Sequence, residues 1–91
     1  NQFAGAVSAL GGGAVTLTNG VATVLGQIGS SGSRAASLSL TTTNAAVSQA
    51  GTAYVDGTTT INAGSGAVTL DNANNKLTGA VSSTGSGAVT L

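Results

Sequence analysis

The chain has 91 residues, and Arg34, Lys76, Asp56 and Asp71 are its only charged side chains, for a formal net charge of zero. At 4% charged, against about 25% in ordinary domains, it cannot neutralise a run of phosphates or hold an anionic bilayer, which excludes nucleic acid and membrane surfaces as expected partners. Its hydrophobic content of 41% sets it apart from charge-rich disorder, no apolar run approaches the roughly 18 residues of a membrane span, and the absence of Cys removes disulfides and thiolate metal sites.

Short segments in which aliphatic residues alternate with Ala, Ser or Thr read as β-strands, because successive side chains of a strand point to opposite faces. In chain order they are residues 6–10, 14–18 and 22–25, then 37–42, 45–49 and 53–55, then 58–62, 67–70 and 76–77, and finally 80–83 and 88–91. Corners fall at Asn19-Gly20, Asp56-Gly57 and residues 71–75, which are rich in side chains that accept φ > 0 or bond their own backbone. Residues 26–33 (Gly-Gln-Ile-Gly-Ser-Ser-Gly-Ser) read as an excursion from the regular pattern.

Gly-Ala-Val-Thr-Leu occurs three times, at residues 13–17, 66–70 and 87–91. Residues 1–17 and 75–91, an offset of 74, are identical at 11 of 17 positions without a gap. A shorter period lies inside. Val15, Val47, Val68 and Val89 form one row, Phe3, Val24, Val55 and Leu77 a second, and Val7, Leu40, Ile61 and Val81 a third. The common step is 21 residues, with one passage longer by about 10 that the excursion at 26–33 absorbs. Three rows per step leave about seven residues per side, too few for helix pairs. The expected fold is all-β: a parallel β-helix, or β-solenoid, of three short strands per coil. It should have about three and a half coils and be right- or left-handed, the right-handed form being preferred by the general chirality of crossovers. The coils would span residues 5–32, 33–56, 57–78 and 79–91 of one domain, a segment of a longer repeat array.

Candidate chemistry is sparse. Thr16, Ser48, Thr69 and Thr90 occupy the outward position beside the first row; they read either as a hydroxyl ladder that orders water or as residues suited to an exposed strand, and the second reading is preferred. Asp56 and Asp71 lie 15 residues apart on different corners, so they read as turn residues rather than an acid/base dyad. One carboxylate per corner is a poor calcium cage, and no His or Cys is present for zinc or nucleophilic catalysis. No catalytic, metal or cofactor residues are assigned. The glycines at 11–13 and 26–32 lack the Gly-Lys-Ser/Thr of a phosphate loop, and Tyr54 and Phe3 are too few for a sugar platform.

At Gly-Ala-Val-Thr-Leu, at residues 74–82 (Asn-Asn-Lys-Leu-Thr-Gly-Ala-Val-Ser) and at residues 57–66 (Gly-Thr-Thr-Thr-Ile-Asn-Ala-Gly-Ser-Gly), the chain resembles the repeats of filamentous-haemagglutinin-like adhesins and related autotransporter passengers. The resemblance spans most of residues 5–91 and weakens across 26–36. It implies a right-handed β-helix, secreted and displayed at the bacterial cell surface as a rod, and carries over no catalytic residue. The expected role is a structural shaft segment of an adhesin or biofilm fibre with no chemistry of its own. Its partners would be neighbouring repeats or end-to-end copies, and host-surface or matrix glycans and proteins. The alternatives are a ligand- or ice-binding solenoid and a self-assembling fibre subunit; a polysaccharide lyase or hydrolase on this fold is disfavoured by the lack of clustered acids.

Overall fold

A computed structural model describes residues 5–85 and 87–90. It contains eleven strands and no helix among those residues: β1 (Ala6–Ala9), β2 (Ala14–Asn19), β3 (Thr23–Ile28), β4 (Ser37–Thr42), β5 (Val47–Gln49), β6 (Tyr54–Val55), β7 (Thr59–Gly64), β8 (Val68–Thr69), β9 (Lys76–Leu77), β10 (Val81–Gly85) and β11 (Val89–Thr90). Every strand pair is parallel, and the strands fall into three sheets. The first runs β1-β3-β5-β8-β11, the second β2-β4-β7-β10, and the third pairs β6 with β9. Bridges from Ile28 to Ala53 and from Ala35 to Val55 extend the third sheet by one coil. From β2 onward the chain visits second, first and third sheets in turn, which makes it a β-solenoid of about four turns.

Alternation builds the core. In β7 the inward Thr59, Ile61 and Ala63 are buried while Thr60 and Asn62 are exposed. Stacking then lays inward residues of successive coils over one another: Leu17, Leu40 and Ile61 on the second sheet, and Thr23, Val47, Val68 and Val89 on the first. Each fully buried aliphatic side chain contributes about 1.5–3 kcal/mol. Corners let the coils approach closely. Asn44, Gly64 and Gly85 turn there with φ of 50, 58 and 129°, and the Asn44 side chain accepts a hydrogen bond from the Ser65 amide at 3.1 Å. A Cβ on Gly66 would meet the Ala45 carbonyl and lie 2.8 Å from the Ala46 amide nitrogen.

The rows read from the sequence need several corrections. Val15 does not lie in the column of Val47; it pairs with Leu38 on the second sheet. Val7 pairs with Leu25 on the first sheet, not with Leu40. Val24 points outward, half-buried beside Ser48, and is not in line with Val55 and Leu77. Val81 faces Thr59, and Ser83 takes the place beside Ile61. Phe3 lies outside the described residues.

The shift at Val81 reflects a 22-residue step from β7 to β10, whereas the differences in the first coil share one cause. Residues 26–28 belong to β3, and the excursion is residues 29–34, closed by reciprocal Ser30–Ser33 backbone bonds of 3.1 and 3.2 Å. Extending β3 buries Ile28 to 1% exposure, whereas a loop over 26–33 would leave it in water. The step is then 23, 21 and 22 residues along the second sheet, with no passage of 32. As a result the two copies of the 74-residue repeat sit on different faces: β1 and β10 on the first and second sheets, β2 and β11 on the second and first.

Candidate functional surface

The outward side of the second sheet carries the most regular chemistry of the molecule. Thr16, Ser39, Thr60 and Ser82 are consecutive partners across β2, β4, β7 and β10. Two residues further along each strand, Thr18, Thr41, Asn62 and Thr84 form a second column. All eight are exposed except Ser39, which is half-buried. Seven carry hydroxyls. The strands fix their spacing at about 4.8 Å between coils and about 6.6 Å along each strand. The face is uncharged and presents hydroxyl groups, with threonine methyls beside them, as a two-dimensional array.

The four-residue row expected from the sequence is divided by this register. Thr16 belongs to the second-sheet array, whereas Thr69 and Thr90 pair on the first sheet, with Ser48 on the adjacent strand. Beyond Ser48 that outward column continues through Val24 to Ala6, so it is not a hydroxyl ladder. Signals for the true array were present as recurrences at 16, 39, 60, 82 and at 18, 41, 62, 84, but an assumed 32-residue step concealed them.

Other polar groups serve the backbone or one another. Asn75 Nδ2 donates to Gln49 Oε1 at 3.0 Å and to the Leu70 carbonyl at 3.1 Å, while its Oδ1 accepts from Gln49 Nε2 at 2.6 Å and from the Ala53 amide at 3.0 Å. This amide pair clamps the corner between β5 and β9. Buried Asn19 donates to Thr23 Oγ1 at 2.8 Å, and Thr42 donates to the Ala45 carbonyl at 2.7 Å. Arg34, beyond the 29–34 excursion's closing bonds, lies 3.6 Å from Asp56 and donates to Thr78 Oγ1 at 3.2 Å, so it spans three coils at the surface. Asp71 is exposed. No group of three or more His, Cys, Asp or Glu able to hold a metal occurs among the described residues.

The stacked parallel sheets and recurring step define a repeat protein of the β-solenoid class. The chain belongs to a family described as repeats of unknown function (DUF5649), whose model matches residues 12–84. No curated protein and no solved structure matches it.

Proposed function

We propose that this chain is a length of structural shaft in a secreted bacterial surface protein, an adhesin or biofilm fibre, and that its action is mechanical. The observation that carries the reading is the continuity of the core columns from coil to coil, through Val47, Val68 and Val89 on one sheet and Leu17, Leu40 and Ile61 on another. In a solenoid, stability grows with the number of stacked units. Tandem copies of the 74-residue unit should therefore unfold at higher denaturant than one copy, and should lengthen as rods in electron micrographs by roughly 15–18 Å per unit, from the 4.8 Å coil spacing. Antibodies to the chain should label the outside of intact source cells. Independent unfolding of tandem units, or purely internal labelling, would defeat the reading.

The hydroxyl array on the second sheet favours a second reading, a face that binds ordered water or ice. Rigid, neutral and periodic groups suit a rigid, neutral and periodic ligand. Thermal hysteresis and inhibition of ice recrystallisation test it directly. Activity should vanish on Thr41→Tyr, which breaks the array's plane, and persist on Thr90→Tyr, which lies on another sheet. A plain shaft gives no activity in any form.

A further inference from the structure

We infer that the N-terminal coil has a second docking register, in which β1 and β2 exchange sheets. Residues 1–17 and 75–91 match at 11 of 17 positions. Even so, the first copy enters on the first sheet and crosses to the second, while the other enters on the second and crosses to the first. A sequence that lies on either of two faces within one chain carries little to bind it to one of them, and register is weakly specified in glycine-rich strands.

The observed docking bears marks of this. The step from β1 to β3 is 18 residues, the shortest in the molecule, and its register breaks between Val7 and Ala9. In the exchanged arrangement β1 would lie over β4 and β2 over β5, so that Val15 stacks on Val47 and Thr16 on Ser48, as Val89 and Thr90 stack on Val68 and Thr69. Residues 26–36 would leave the spiral as a loop.

Opposing contacts set the balance. The observed register is held by the far half of β3, where Leu25 and Ile28 are 0% and 1% exposed. The exchanged register would lose that burial. It would also press the Ala45 methyl toward Gly13, at a corner where Gly66 and Gly87 approach the carbonyl of the preceding coil without one. The exchanged form is therefore the minor state. Its consequence is a change of surface: Thr16 and Thr18 leave the second-sheet array, which shortens from four coils to three.

The chain has no cysteine, so paired substitutions report the register cleanly. Outward neighbours on adjacent parallel strands are about 4.8 Å apart, within the Cα range of a disulfide. Thr16→Cys with Ser39→Cys reports the observed register, and Thr16→Cys with Ser48→Cys the exchanged one. Thr16→Cys with Thr69→Cys is the control, two coils apart on the exchanged face and never adjacent. Under mild oxidation the first pair should close fastest, and the second should close at least tenfold faster than the control. Ile28→Asn, which removes the main hold on the observed docking, should raise the second pair's yield severalfold while lowering the first. The inference is overturned if the second pair never exceeds the control, or if Ile28→Asn depresses both pairs alike, as simple destabilisation would. It is equally overturned if the first pair closes no faster than the control, since the chain would then have only the exchanged register.

Discussion

Replacing Thr59 by Val should make this protein more stable. Thr59 is 1% exposed and points inward between Leu38 and Val81, in a column that begins with Val15. Its Oγ1 is the one buried side-chain polar atom among the described residues with no hydrogen-bond partner. An unpaired buried hydroxyl costs about 1–3 kcal/mol, and Val has nearly the same shape and an equal liking for strands. The backbone bond from the Thr59 amide to the Ala80 carbonyl, 2.9 Å, is untouched. A gain of about 1–2 kcal/mol follows. With a urea slope of about 1 kcal/mol/M for a small chain, the midpoint should rise by about 1–2 M. The control is Thr42→Val, another buried threonine, whose hydroxyl does donate to the Ala45 carbonyl at 2.7 Å; it should lose about 1 kcal/mol. Urea unfolding followed by circular dichroism measures both. If Thr59→Val is no more stable than the parent, or if both variants gain, the argument from hydrogen-bond satisfaction is refuted.

Leu40→Ala, at the middle of a stacked column and 1% exposed, should lose about 2–5 kcal/mol; Leu17→Ala, half-buried in the end coil, should lose clearly less in the same urea titration, and equal losses would contradict the stacking order. Gly66→Ala should destabilise by about 1–3 kcal/mol, because its Cβ meets backbone rather than a movable side chain. Gly32→Ala, which opens into free space without a left-handed backbone, should leave the thermal midpoint unchanged or raise stability by up to about 1 kcal/mol. Arg34→Ala should shift stability by less than about 1 kcal/mol, since its contact with Asp56 is a surface ion pair; a strong dependence of unfolding on salt concentration would speak against this.

The eleven strands were legible in the sequence because alternation of Val, Leu or Ile with small residues survives at nearly every one of them. What was not legible was which face each N-terminal strand takes. Gly-Ala-Val-Thr-Leu supplies an inward Val and Leu on any side of a three-sided spiral, so the motif at residues 13–17 fits the second sheet as well as the copy at 66–70 fits the first. Local pattern cannot choose between them; a long-range contact does, the burial of Ile28 that carries β3 through residues 26–28. Ile28 sits in a run of Gly and Ser that reads as loop, and its influence appears only when the coil beneath is in place. The hydroxyl array was lost through the same error, since assigning Thr16 to the first sheet removed one coil from both of its columns.

Strand propensity alone does not account for that array. Preference for β-branched residues acts alike on every exposed strand position, so it would scatter hydroxyls over all three sides. Instead the outward column of the first sheet includes Ala6 and Val24, and the third sheet pairs Tyr54 with Lys76. On the second sheet two adjacent outward columns carry hydroxyls at seven of eight positions over four coils, although the outward pair beside them is Ala14 and Ser37. Coil stacking constrains the inward side chains and the corner glycines, and it leaves outward positions free to differ from one another. Uniformity where the fold demands none is a property of that face, and it singles out the second sheet as the side on which to look for a ligand.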